Sequence, residues 1–133
     1  MKGQISAAEY RALMAKPHKY GAAAIVAHGY RFDSQAEAAR YDQLLLLLRA
    51  GQITDLRVHP SYVLQEAFRD RAGVRVACVR YVADFAYIET VTNVTVVEDV
   101  KGARTAVYLL KAKLFKCRYP DLDYRVLKVG GRR

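Results

Sequence analysis

Residues 81–101 constrain this chain more than any other stretch. They hold two apolar segments, Tyr81-Val82-Ala83-Asp84-Phe85-Ala86-Tyr87 and Val96-Val97-Glu98-Asp99-Val100-Lys101, with a polar turn near residues 89–93 between them. Aromatic and β-branched side chains at this density read as strands of a central sheet. Alternate residues of a strand share a face, so Asp99 and Lys101 are expected to point one way and Glu98 and Val100 the other. Asp84 sits inside the first apolar segment, where a charge is costly unless it is paired or binds a metal. With the two strands as hairpin neighbours, Asp84 and Asp99 converge.

The rest of the chain supplies layers for such a sheet. Its 133 residues suit one domain, and 53% apolar residues give it a core, so intrinsic disorder is not expected. The longest apolar runs, residues 22–27 and 44–48, fall far short of the ~20 residues a spanning helix needs. Met1-Lys2-Gly3-Gln4 leads into a charged segment and not into a signal-peptide apolar region. Cys78 and Cys117 make no disulfide framework, and a reducing cytoplasm is the expected setting.

Two capping boxes mark helix starts. Ser6-Ala7-Ala8-Glu9 opens a short helix to about residue 14, and Ser34-Gln35-Ala36-Glu37 opens a strong one to about Ala50, with Gly51 as its stop. Residues 24–26 and 30–32 flank His28-Gly29 as a hairpin. Strands are expected at 53–59, 62–65, 74–80, 81–88 and 92–100, a second long helix at 105–119 before Pro120, and a last strand at 124–129. The fold class is α/β, a mixed sheet flanked by helices. Residues 1–16 read as a helical extension, 17–129 as one domain and 130–133 as a basic tail.

Two carboxylates a few ångströms apart repel each other, and a hard divalent cation such as Mg2+ or Mn2+ resolves that conflict. A metal held by Asp84 and Asp99 could activate water at a phosphate, with Lys101 beside it. The plainer alternative is a buried salt bridge between Lys101 and either aspartate. Glu37 shares a helical stripe with Tyr41, Leu44 and Leu48, at about 100° per residue. It is either the reciprocal partner of Ser34 in the cap or a third carboxylate reaching toward Asp84; a cap folds back and a ligand reaches out.

The set Glu37, Asp84, Asp99 and Lys101 resembles the PD-(D/E)XK nuclease pattern, a helix-borne Glu before an Asp on one strand and a (D/E)-x-K on the next. More closely, the chain resembles a family of small phage and prophage proteins of that superfamily that includes Holliday-junction resolvases. The matching stretches are Pro17-His18-Lys19-Tyr20-Gly21, Arg31-Phe32-Asp33-Ser34-Gln35-Ala36-Glu37-Ala38, His59-Pro60-Ser61-Tyr62-Val63-Leu64-Gln65, Tyr81-Val82-Ala83-Asp84-Phe85, Val97-Glu98-Asp99-Val100-Lys101-Gly102, and the stretch from Tyr108 to Pro120. Ala83 stands where the pattern has Pro, and the triplet begins with Asp rather than Glu. The resemblance implies a restriction-endonuclease-like fold and a Mg2+- or Mn2+-dependent endonuclease. It implies Asp84, Asp99 and Glu37 as metal ligands and Lys101 at the reacting water. Glu98 faces the opposite way and reads as structural.

Charge sharpens that implication. Residues 1–100 carry 12 Lys and Arg against 11 Asp and Glu, whereas residues 101–133 carry 10 against 2. The surplus begins at Lys101, as expected of a phosphate-facing side. On the second long helix, Val107, Leu110, Leu114 and Cys117 read as the core stripe. Arg104, Lys111 and Arg118 recur every seven residues along its edge and suit phosphate tracking. Lys113 and Lys116 read as snorkelling side chains. Lys16, His18, Lys19 and Arg31 are further candidates for clamping DNA.

His18, His28 and His59 lack zinc spacing and read as non-ligands. No phosphate-cradling glycine loop is present, which argues against nucleotide hydrolysis. Leu46 and Leu47 lie off the main stripe of their helix, covered either by a second layer or by a homodimer partner. The leading expectation is a phage or prophage DNA endonuclease in a bacterial cytoplasm, with branched DNA as one substrate class. The alternatives are a non-catalytic nucleic-acid-binding module that kept the fold, and a phage assembly protein that is basic because it meets DNA.

Overall fold

The computed structural model describes residues 25–27, 29–102 and 104–128. The chain divides into two compact units, with the boundary in sequence between Leu47 and Leu48. The expected helix at 6–14, the basic tail, Lys16, His18, Lys19 and His28 lie outside the described residues.

The first unit holds the expected hairpin. Strands β1 (Ile25–Ala27) and β2 (Tyr30–Phe32) pair antiparallel, Ile25 opposite Phe32 and Ala27 opposite Tyr30. Gly29, at φ +82°, supplies the left-handed residue that the tight turn demands. Helix α1 (Gln35–Arg49) follows. Its start is the capping box: Glu37 N–H donates to Ser34 Oγ at 3.1 Å. Glu37 Oε1 folds back to accept the Asp33 N–H at 2.9 Å, one residue beyond the usual reciprocal partner. Gly51, at φ +76°, ends the helix, its N–H on Leu48 O at 3.1 Å. Tyr41 and Leu44 are fully buried, and Tyr41 stacks on Tyr30 and Phe32 with centroids 5.6 and 5.4 Å away.

The second unit is built on a four-stranded mixed sheet. Its remaining strands are β3 (Ile53–Val58), β4 (Ser61–Gln65), β5 (Phe68–Arg69), β6 (Arg75–Val76), β7 (Val79–Val82), β8 (Phe85–Glu89), β9 (Thr95–Lys101) and β10 (Asp123–Lys128), with helix α2 (Ala106–Arg118) between the last two. The sheet order is β10-β9-β8-β3; β9 and β10 run parallel through the α2 crossover, and the other neighbours are antiparallel. Two small sheets, β4-β7 and β5-β6, complete the unit. The α/β class and the mixed sheet agree with the sequence reading.

Two expectations need correction. Residues 74–80 and 81–88 are not two strands meeting at Tyr81. The chain runs through β7 to Val82, bends at Ala83-Asp84 and enters β8, so Asp84 lies in a bend between strands. The reason is pairing: β7 belongs to β4, whereas β8 belongs to β3 and β9. The α2 stripe is also reversed. Val107 (65%), Leu110 (57%), Leu114 and Cys117 are exposed, while Tyr108, Ala112 and Phe115 are buried. Phe115 is the hub, with the rings of Tyr62, Tyr81, Tyr119 and Tyr124 at centroid distances of 5.0–5.4 Å. Ala112 adds only a methyl group, which lets the helix approach the sheet.

Candidate functional site

Asp84 is positioned by two neighbouring corners where the chain changes sheets. One is His59-Pro60, between β3 and β4; the other is Ala83-Asp84, between β7 and β8. Two backbone bonds clamp them together, His59 N–H to Asp84 O at 2.9 Å and Ala83 N–H to Pro60 O at 3.0 Å. His59 adopts φ +55°, a left-handed backbone that a non-glycine residue holds only when its surroundings over-determine it, at a cost of roughly 1–3 kcal/mol. The clamp supplies that constraint. A ring nitrogen of His59 and a carboxylate oxygen of Asp84 lie within 4.8 Å of each other.

The β8–β9 register sets Phe85 opposite Glu98, which brings Asp84 level with Asp99 and Val100. Asp84 N–H donates to Glu98 O at 3.1 Å, and Asp84 Oδ2 accepts the Val100 N–H at 2.6 Å. The Asp84 carboxylate is therefore fixed against the strand that carries Asp99 and Lys101.

Asp99 and Lys101 share a face, as alternation requires, and it is the face that α2 covers. Asp99 is buried, and its Oδ2 accepts hydrogen bonds from Tyr81 and, at 3.2 Å, from Tyr124. Tyr108 and Tyr124 are joined through their hydroxyls. Burial first, then the Tyr108 bond and the Asp99 charge, push the Tyr124 hydroxyl pKa well above the ordinary tyrosine value. Lys101 Nζ lies 4.6 Å from the Tyr108 ring centroid, a cation–π contact. Glu98 is buried on the opposite face and accepts the Tyr87 hydroxyl, in line with a structural role.

The remaining candidates separate by what they touch. Glu37 is buried, and one of its oxygens serves the cap of α1. Arg31 is half-buried in β2, and Lys19 lies outside the described residues. Arg118 donates to Leu64 O at 3.3 Å and pairs with Glu66 at 3.2 Å, so its charge is already engaged. Arg104 is exposed and Lys111 half-buried.

Spacing along the chain gives no sign that His59 lies beside Asp84, because it tests only ligands close in sequence. The available signal was its position before Pro60 in a segment bounded by strands. An imidazole beside a carboxylate suits Mn2+ better than Mg2+, which prefers all-oxygen ligands. Ligands about 2.1 Å from one ion sit about 3–4 Å apart, a range that lies within the 4.8 Å bound on the His59–Asp84 spacing.

A family model described as protein of unknown function, DUF1064, matches residues 17–130. No curated protein and no solved structure matches the chain. Among the described residues, no helix is long and apolar enough to cross a membrane.

Proposed function

We propose that this chain, which by that match belongs to the DUF1064 family, is a metal-dependent DNA endonuclease that hydrolyses phosphodiester bonds. The observation that carries this reading is the Asp84 carboxylate, fixed by the Val100 N–H to the strand bearing Asp99 and Lys101 and lying beside His59. That juxtaposition supports the likeness of the Asp84, Asp99 and Lys101 pattern to PD-(D/E)XK nucleases.

In this reading Asp84 and His59 would hold a Mg2+ or Mn2+ ion; Asp99 is added by the motif and does not share their ligand cluster. When bound, such an ion acts as a Lewis acid at phosphate and lowers the pKa of water. Hydrogen bonds from Tyr81 and Tyr124 fix the Asp99 carboxylate, as outer partners orient metal ligands elsewhere. Lys101 lies against the Tyr108 face and offsets negative charge developing at the phosphate. Glu37 enters through the motif order alone. Branched DNA, a homodimer and a phage or prophage setting in a bacterial cytoplasm belong to the same proposal.

One observation favours a second reading. The two tyrosine hydroxyls on Asp99 give that carboxylate a structural use, as expected of a nucleic-acid-binding module that kept the fold without catalysis. A nicking assay separates the two. Wild-type protein with Mn2+ or Mg2+ is expected to cut supercoiled plasmid or a four-way junction, and Asp84→Ala and Lys101→Ala to lose at least 100-fold in rate. No cutting by the wild type, or equal cutting by the variants, defeats the nuclease reading.

A further inference from the structure

A groove of about 200 Å³ runs between α2 and the edge strand β10. Arg104, Lys113 and Lys116 line it together with Tyr108, Tyr124 and Val126. Lys113 and Lys116 lie about one helical turn apart, ~4.5 Å along the axis, and Arg104 stands just before the Thr105 cap of α2. Lys116 Nζ is 5.8 Å from the Tyr124 ring centroid.

The cations here differ from others in the unit. Arg118 is paired with Glu66, and Arg125 with Glu89 and Asp123. Among the described residues, Arg104, Lys113 and Lys116 form no ion pair. The three charges that face one groove are thus available to an outside anion. Two aromatic rings stand among them. Tyr124 donates to Asp99 and shares a hydrogen bond with Tyr108, so inward bonds hold both rings. The ring of Tyr108 also bears Lys101, so the groove leads to the proposed reacting lysine.

A cationic groove with rigid aromatic walls is how single strands are bound without sequence preference. The space is below the ~300 Å³ at which small-molecule pockets begin, and it is open along the helix. From Ala106 to Lys116 the helix rises ~15 Å, about four nucleotide steps at ~3.4 Å each. We infer that one nucleic-acid strand lies in this groove, its phosphates on Arg104, Lys113 and Lys116 and a base or sugar against Tyr124. The strand takes a path on the β10 side of α2, and not along the Arg104–Lys111–Arg118 row. The nucleic-acid partner rests on the reading above; the path does not need cleavage.

The test is fluorescence anisotropy with a labelled twelve-residue oligothymidylate in EDTA, so that binding is read without hydrolysis. Lys113→Glu/Lys116→Glu is expected to weaken Kd at least tenfold. The neutral pair Lys113→Gln/Lys116→Gln is expected to reduce the salt slope by about 1.4, two phosphate contacts at ~0.7 each. Arg71→Glu, exposed in the β5–β6 turn, should bind within about twofold of wild type. Circular dichroism confirms that each variant is folded, and the neutral pair decides the matter if the charge-reversed one is not. Unchanged affinity and slope in the neutral pair overturn the inference. So does tighter binding of a twelve-base-pair duplex, or of polyglutamate, than of the single strand. A wild type that binds here yet never cuts would refute the nuclease reading and leave the groove intact.

Discussion

The two helices look alike in sequence and behave differently. In α1 the stripe expected to face inward, Glu37, Tyr41 and Leu44, is the buried one. In α2 the expected stripe faces out, and Tyr108, Ala112 and Phe115 face in. In α1 the one tyrosine, Tyr41, lies on the same stripe as Leu44, so an aromatic and an aliphatic face did not compete, although Leu46 lies off it and is exposed. In α2 an aliphatic stripe and an aromatic stripe compete on nearly opposite faces. The aromatic one wins because each large ring buries about 150–250 Å² and because tyrosine brings a hydroxyl. The sheet beneath α2 carries the Tyr124 hydroxyl, to which the α2 residue Tyr108 is hydrogen-bonded, a contact that leucine and valine cannot make. Hydrophobic content thus names a helix's apolar residues, but the polar demand of the surface below selects its face.

That comparison can be broken most directly at Phe115. Phe115→Ala should cost about 3–5 kcal/mol in urea unfolding, while Leu110→Ala on the opposite face should stay within about 0.5 kcal/mol. Equal costs would mean that α2 is turned the other way.

Removing either cap, Ser34→Ala in α1 or Thr105→Ala in α2, should cost about 1 kcal/mol. The two helices should therefore match in their starts, although they differ in their faces; a Thr105→Ala variant as stable as wild type would argue against the cap.

The smallest effect belongs to the sheet edge. The Arg125 hydrogen bond, followed by the one from Thr92, holds the Glu89 carboxyl below its usual range. A depressed carboxyl pKa adds stability above the ordinary value, near 4.3, and that stability is lost as pH falls through the folded-state value. Arg125→Gln should lower the urea midpoint at pH 7, and the gap from wild type should close as the pH drops below about 4. A constant gap would remove Glu89 from the account.

The parts of the site that were legible in the sequence are those fixed by neighbours along the chain. Asp99 and Lys101 share a face because a strand alternates, and Glu98 lies on the other for the same reason. The corner at Asp84 was not legible, because a bend between β7 and β8 exists only if β4 captures one strand and β9 the other. The nearness of His59 to Asp84 was not legible either, since backbone bonds between two distant corners bring them together. The basic row along α2 was legible as charge but not as surface. Glu66 engages Arg118, and the groove beside β10 gathers Arg104, Lys113 and Lys116.

By itself, the sequence determined where the two helices begin and end, the α/β order and where the positive charge lies. Caps, glycines, prolines and alternation act through hydrogen bonds and dihedral preferences within a few residues. The tertiary structure alone decided which face of α2 is buried, which carboxylate meets a histidine and which cations remain outside ion pairs. Those outcomes are small differences between competing burials and pairings, and the partners that settle them are far away in the chain.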